Sequence, residues 1–408
     1  MLETVIGTLR AAEPGLHFHV FSYYPADDRR LVEDANVTIH SSTPAALVLW
    51  LFPWALLFGA LRLVLGDWVL RLAPRAIRAL AGSRALVDVA GVAFIDGRET
   101  FLPFNSLTIL PAWLLGTPVV KMPQTVGPFL RPMNRLVARL ILPRCRMVWA
   151  RGAKTREHLA SAGFKGLRFA QGDDIAFNHK NAFSLTFERG VEVDRRLAEL
   201  AERRESSQAK GVIGICPSSV VAMRSRKEGG RYEDVLVMLL DHLRADGFVV
   251  VLFPNATREA AGEVERNNDL PVIRRILRRC STIASGPQPL AFDFDMNAAG
   301  IRRVIAALDI ALVSRFHAMV GSLAQEVPTV VLGWGHKYTE AMAHFGLERL
   351  VMDYARLNDE ELRRCVADVF ADAEPIRDAI RAHLPAVRGS AARPLRALLQ
   401  PDLGEALA

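Results

Sequence analysis

Short apolar runs alternate with helix-patterned stretches in two successive series, and this constrains the fold more than any other feature of the chain. In the first half the runs are HFHVFSY (17–23), ALVDVAG (85–91), TPVVKMP (117–123) and RMVWARG (146–152). Strands separated by helices fold into a parallel sheet covered on both faces. Between the last two runs, Met133, Leu136, Val137, Leu140 and Ile141 recur at helical spacing, and Arg131, Arg135 and Arg139 fall on the other side as a solvated face. The second series comprises GVIGICP (211–217), a helix over 232–245, GFVVVLFPN (247–255), a helix over 297–308, DIALVSR (309–315), a helix from 316 and PTVVLGW (328–334).

Between the two series, residues 180–210 are charged, lack a strand signal and end in a Ser/Gln/Lys patch, so the domain boundary is expected there. The expected fold class is α/β, with two Rossmann-like domains of parallel sheet, 1–205 and 210–370, facing across a cleft at the carboxyl ends of their strands. A helical segment, 371–408, follows, and its 374–400 pattern is long enough to cross back onto the first domain. A chain of 408 residues fits two cores better than one.

Four cysteines, Cys145, Cys216, Cys280 and Cys365, are scattered with no CxxC pair and no His at metal spacing. That pattern points to a reducing compartment without structural zinc, and no ligand cluster calls for a metal or other resident cofactor. The net charge of +7, from 51 basic against 44 acidic residues, is carried almost wholly by Arg, the residue suited to forked contact with phosphate and carboxylate. With five Tyr, no RNP-like strand and no helix-turn-helix pattern, a nucleic-acid partner is not expected. Anionic substrates or an anionic membrane surface remain.

The opening Met1-Leu2-Glu3 has no basic start and no cleavage site follows, so a cytoplasmic location is expected. Residues 45–61 carry no charge, with Pro53 in the middle and an apolar insertion extending to about residue 70. That is just short of the roughly 18–20 residues of a spanning helix. The segment reads either as a buried helical hairpin between two strands or as a helix on the inner membrane surface. Trp50, Trp54 and Trp68 and the basic flank Arg71, Arg75, Arg78 and Arg84 suit the second reading.

The densest chemistry lies in DIALVSRFHAMVGSLAQEVPTVVLGW. DIALV is a buried strand, Ser314 stands where an N-cap belongs, and Arg315, Phe316 and His317 then form the first helical turn. A helix N-terminus at the carboxyl end of a parallel strand offers N–H donors and a partial positive charge to an anion. Arg315 adds a fork for phosphate or carboxylate, and His317 a group that moves a proton near neutral pH.

SRFHAMVGSLAQEVPTVVLGWGHKYTEAM resembles the C-terminal signature of the polysaccharide pyruvyl transferases: S-R-x-H, a small-residue helix, V-P and a Lys-containing loop. PQTVGPF (123–129) resembles that family's Q-x-x-G-P-F loop, ARGAKTREHLASAGF (150–164) its Arg-bearing strand end and helix, and GDDIAF (172–177) its D-x-A-F turn. The resemblance runs over about residues 85–350. It implies a GT-B-like pair of domains, phosphoenolpyruvate as donor substrate, and a glycan or lipid-linked oligosaccharide acceptor that receives pyruvate as a ketal.

It also implies His317 as the acid that protonates the donor's methylene carbon, and then as the base toward a sugar hydroxyl. Arg315 and Arg151 would hold the donor's anionic groups, with Ser314 beside them and His336 and Lys337 assisting from the loop after the next strand. Gln124 and Gly127 would shape the donor loop or simply make a tight turn.

Arg151 equally suits a structural salt bridge, and Asp173 and Asp174 suit either the orientation of an Arg or, more simply, a helix cap. Ser218 and Ser219 stand at a strand end open to an anion, while Arg224, Arg226 and Lys227 also read as a mobile basic surface loop. Against the family pattern, Met1–Gly15 reads as already inside the first helix, so that either the start is placed too late or the first strand and its Gly-rich loop are missing, and DVAGVAFIDG (88–97) stands in place of a triple-Gly segment, keeping Gly91 and Gly97. Two other readings stand. One is a nucleotide-sugar glycosyltransferase of the same fold, for which Glu340 is the ribose candidate. The other is a non-catalytic glycan-assembly or membrane partner.

Overall fold

The computed structural model describes residues 1–32, 34–179, 187–206, 208–280, 287–333 and 335–403. The chain divides into two compact units, Met1–Phe183 with Arg388–Ala408, and Ser184–Val387. The charged helix Phe187–Ser206 therefore belongs to the second unit, and the helical tail is shared between the two.

The first unit opens with α1 (Leu2–Ala12), followed by β1 (Phe18–Ser22) and β2 (Val37–Ser41), which pair parallel as a separate two-stranded sheet. One apolar helix, α2 (Pro44–Leu65), comes next, then α3 (Arg75–Gly82). The main sheet of this unit runs β3 (Leu86–Asp88), β4 (Val119–Gln124), β5 (Met147–Arg151) and β6 (Phe169–Gly172) in that spatial order, all parallel. Helices α4 (Pro132–Ile141) and α5 (Ala153–Ala162) connect its strands.

Strand alternation divides β5 between two cores. Val148 and Ala150 join the cluster built on α2, whereas Met147 and Trp149 join one that contains Val5 of α1 and Leu395 and Leu398 of the C-terminal helix. Successive side chains of a strand point to opposite faces, so a sheet clad on both sides must be apolar at both parities. The 374–400 pattern thus returns to the first unit as expected.

Two expectations about helices in this unit change. The 45–61 segment forms no hairpin but part of a single 22-residue helix, which loosens to a π turn over Leu47–Leu51 directly before Pro53. A ring without an N–H interrupts the regular ladder there. On α4 the apolar stripe does not face inward as a whole. Asn134, Ala138 and Ile141 are buried while Met133, Leu136 and Leu140 are exposed, because Asn134 donates to the Phe94 carbonyl (2.9 Å) and Asp96 (2.7 Å) and so turns the helix. Arg135 is likewise not simply solvated: it donates to the Ala162 carbonyl (3.0 Å) and lies over the Phe164 ring.

The second unit contains α6 (Phe187–Ser206), β7 (Val212–Cys216), α7 (Ser219–Lys227), α8 (Tyr232–Ala245), β8 (Val249–Leu252), α9 (Leu270–Cys280), β9 (Leu290–Ala291) and α10 (Ala298–Ala306). It continues with β10 (Ile310–Val313), α11 (Phe316–Ala324), β11 (Thr329–Gly333), α12 (His336–Ala343), β12 (Val351–Asp353), α13 (Asp359–Ala371) and α14 (Ala373–Leu399). Six parallel strands lie in the order β12-β11-β10-β7-β8-β9, a Rossmann-like sheet whose central strands are buried along their whole length. Trp334, the last residue of the PTVVLGW run, lies outside the described residues.

Leu395→Ala removes a buried anchor of α14 beside Trp149 and is expected to cost about 2–4 kcal/mol. Urea unfolding followed by tryptophan fluorescence measures that loss.

Candidate active site

The carboxyl ends of β7 and β10 are neighbours in the sheet, with Val313 opposite Cys216, and their following loops lead into α7 and α11. Ser314 does not cap α11. The N-cap position falls one residue later, on Arg315, and the Ser314 hydroxyl instead accepts from the buried Tyr232 phenol (2.8 Å). That phenol in turn accepts from the Ser218 N–H (3.1 Å), and burial pushes its pKa up. Ser218 caps α7 through Val221 N (3.4 Å), so both serines after β7 and β10 are structural anchors of the loops.

Asp269, fully buried at the start of α9, is the electrostatic centre of this edge. Its carboxylate accepts from Ser219 N (2.9 Å), Asn255 N (3.3 Å) and Ala256 N (2.9 Å), and from Nε and Nη2 of Arg315. Arg315 Nη2 also donates to Ser219 Oγ (2.9 Å). Burial opposes the charge on the Arg315 guanidinium, but the Asp269 carboxylate more than compensates, and the net effect raises its pKa. Arg315 is therefore half of a buried ion pair. Among the described residues its Nη1 makes no hydrogen bond, which leaves one edge of the fork for a ligand.

His317 is exposed in the first turn of α11, its ring edge-on to Phe316 with 5.7 Å between centroids. Lys337 Nζ lies 5.3 Å from the centre of the same Phe316 ring. His336 stands 3.8 Å from Glu340 in the first turn of α12. Thus Ser314, Arg315, His317, His336 and Lys337 share the carboxyl edge of the second sheet. Arg224 and Arg226 do not form a mobile loop: they end α7, paired with Glu228 (2.9 Å) and with Glu233 (2.5 Å) and Glu265 (2.6 Å).

The remaining site candidates gather in the first unit. Arg151, at the end of β5, donates to Asp174 (2.8 Å), Thr125 Oγ1 (2.9 Å) and the Gly91 carbonyl (3.1 Å), a structural bridge of the kind the sequence left open. Asp174 also accepts from Ala176 N (3.0 Å), so it caps and pairs at once. Gln124 is buried with Nε2 donating to the Met122 carbonyl (3.2 Å). Gly127 adopts φ +81°, and a Cβ there would meet His158 Cβ at 2.7 Å, so the loop tolerates only glycine. Phe94, in the segment replacing the triple glycine, takes φ +48°, a left-handed conformation unfavourable for a bulky side chain. The chain bears this because Phe94 is wholly buried and its carbonyl accepts from Gly127 N (3.1 Å) and from Asn134.

A buried pair missed at the sequence level, Lys121 with Asp88, sits opposite in register on β4 and β3. Burial would raise the Asp88 carboxyl, but the Lys121 ammonium outweighs it and holds its pKa below the usual range. Among the described residues no group of three or more His, Cys, Asp or Glu side chains is arranged to hold a metal ion. The four thiols are free, and burial pushes Cys145 up to about 12 and Cys280 to about 11. They are not poised as nucleophiles.

A family model described as polysaccharide pyruvyl transferase matches residues 2–336. No curated protein sequence shows a significant match. Among solved structures, a glycosyltransferase from Rickettsia africae aligns at 11% identity over all of this chain and 94% of that one, with a TM-score of 0.58. An E. coli trehalose-6-phosphate structure bound with UDP-2-fluoro glucose aligns at 14% identity over 98% and 96% of the two chains, TM-score 0.55. HepE of Anabaena in complex with UDP and glucose aligns at 12% identity over 94% and 99%, TM-score 0.50. These likenesses establish a GT-B-like fold of two Rossmann-like units.

Asp269→Ala leaves the Arg315 guanidinium buried without its counter-charge and is expected to cost about 3–5 kcal/mol, whereas Asp269→Leu combined with Arg315→Met costs much less than the two single changes added. Chemical denaturation of the four proteins closes that double-mutant cycle. The buried Cys145, Cys216 and Cys280 are expected to react with a thiol reagent at pH 8 only as fast as the protein unfolds, with at most one faster equivalent from the half-buried Cys365, and a fast phase of more than one thiol in a DTNB trace contradicts this.

Proposed function

The chain belongs to the polysaccharide pyruvyl transferase family, and we propose that it transfers pyruvate from phosphoenolpyruvate to a glycan or lipid-linked oligosaccharide as a cyclic ketal. What supports this reading is the meeting of an acid and a cation on one ring: Phe316 is bordered by His317 and by the Lys337 ammonium at a helix N-terminus. An enol ether carrying phosphate and carboxylate needs both, a proton for its methylene carbon and positive charge for its anionic groups.

On this reading protonated His317 gives its proton to the methylene carbon of the donor, and the adjacent carbon becomes electrophilic. A first sugar hydroxyl adds there and loses its proton to the imidazole. A second hydroxyl of the same sugar then displaces the phosphate, which takes up that hydroxyl's proton as it leaves as inorganic phosphate, and the ketal closes. Lys337, His336 and the open Nη1 edge of Arg315 hold the phosphate and carboxylate. Ser314, through Tyr232, fixes the loop that presents His317. In the first unit Arg151, Gln124 and Gly127 build the wall of the QTVGPF loop. The reaction requires no resident cofactor and takes place in the cytoplasm, a setting supported by four unpaired thiols.

With phosphoenolpyruvate and a lipid-linked oligosaccharide, the protein should release phosphate, and His317→Ala should slow release by about 10²–10⁴-fold with the far-UV spectrum unchanged. Lys337→Ala should raise KM for phosphoenolpyruvate by roughly tenfold, more than it lowers kcat. Turnover of a nucleotide sugar in place of phosphoenolpyruvate would assign the site to glycosyl transfer instead.

A further inference from the structure

The helix α2 is apolar on every side, yet only 28% of its most apolar stretch is buried. Its inner row, Leu47, Leu51, Ala55 and Phe58, packs into the core of the first unit. Gly59 continues that row, and a Cβ there would come within 2.7 Å of the Leu114 carbonyl, so the helix lies tight against its neighbour. The opposite side carries two ladders at seven-residue steps, Leu49, Leu56 and Leu63, and Trp50, Leu57 and Val64. All six are exposed, Leu63 by 89% and Val64 by 82%. Steps of seven residues keep a side chain on one face of a helix, so these six form a continuous apolar strip.

The elements that follow directly are basic and outward-facing. Arg71, Arg75 and Arg78 are exposed and make no ion pair among the described residues. The one acid of the region, Asp67, is taken by Arg62 (2.5 Å). Trp68 and Leu72 stand exposed among those arginines. An apolar helix face edged by tryptophan and unpaired arginine matches the chemistry of the boundary between acyl chains and anionic headgroups.

We propose that α2 is an in-plane membrane anchor, seating the first unit on an anionic lipid surface with the Leu49–Leu63 and Trp50–Val64 ladders in the acyl layer and Arg71, Arg75 and Arg78 on headgroup phosphates. The helix is long enough to cross a bilayer, but its inner row is part of the protein core. Turning it across the membrane would strip Leu47, Leu51, Ala55 and Phe58 from their packing, whereas lying flat satisfies both faces. A protein partner fits less well, because the three arginines would need acids opposite them at the edge of an otherwise wholly apolar contact.

The test is co-sedimentation of the full chain with vesicles of phosphatidylcholine alone and of phosphatidylcholine mixed with phosphatidylglycerol, without donor or acceptor, so the outcome is separate from the pyruvyl-transfer reading. Binding is expected to the mixed vesicles, weakened by salt and reversed by alkaline carbonate. Leu56→Glu combined with Leu63→Glu should weaken it by about tenfold or more, as should Arg71→Ala, Arg75→Ala and Arg78→Ala together. Both variants should keep the wild-type melting temperature, since these side chains face outward. The proposal is overturned by no binding to the mixed vesicles, by binding that survives both variants, by resistance to carbonate, or by a lipid-independent dimer that Leu56→Glu and Leu63→Glu abolish.

Discussion

A single buried carboxylate organises the carboxyl edge of the second unit's sheet. Asp269 has no exposure to water, and an isolated ionised carboxyl in such a place would be prohibitive. It is tolerated because its donors converge from the loops that follow three adjacent strands: Ser219 after β7, Asn255 and Ala256 after β8, and Arg315 after β10. Each loop would otherwise carry unsatisfied donors at a strand end, where chains leave the sheet and lose their ladder partners. The ion pair thus sets where α7 and α11 begin, and with them the direction in which His317 points.

The first unit solves the same problem with the charges reversed. There the hub is a cation, Arg151 at the end of β5, and the loops supply acceptors: the Gly91 carbonyl after β3, Thr125 after β4 and Asp174 after β6. In both units an arginine that suits a substrate anion by its sequence position is held instead by a carboxylate within its own unit. Arg315 nevertheless keeps its Nη1 edge without a hydrogen bond among the described residues. A guanidinium fixed on two of its edges presents the third with little rotational freedom to lose, so less entropy is given up when a ligand meets it. The cost is that its net charge is already balanced, and long-range attraction for any anion must come from elsewhere, with the Lys337 ammonium beside the Phe316 ring.

Where burial imposes a clear period it survives in the sequence, and α8 and β10 fall where the apolar spacing puts them. The strands β2 and β6, which mix polar residues into four or five positions, and β9 and β12, of two and three residues, were not legible, and neither was helix α9. The cap of α11 shifts by one residue because the Ser314 hydroxyl has a competing partner, Tyr232, from a helix 82 positions earlier in the chain. Asp269 escaped notice for the same reason. Its local text, N-D-L-P, announces a helix start and nothing more, and its meaning comes from Arg315, 46 residues away. Hydrogen bonds across such separations have no periodic trace. Outcomes that depend on them, such as which of two serines caps and which arginine is neutralised, are decided by packing.

The apolar helix α2 is the opposite case: its composition was plain and its orientation was not. A helix hydrophobic all round has no moment, so the sequence alone does not say which side turns inward. Packing settles the inner row, and the energetics of the outer one then follow. Transferring a Leu, Val or Trp side chain out of water is worth roughly 1.5–3 kcal/mol, so six exposed together represent a large standing penalty in water. A chain that keeps such a strip without a covering segment among its described residues must meet an apolar environment in use or lose solubility to self-association. The unpaired arginines beside the strip oppose self-association, since two copies brought face to face would crowd like charges. They favour an anionic interface for the same reason. The charge pattern therefore discriminates between two partners that the hydrophobic strip alone would accept equally.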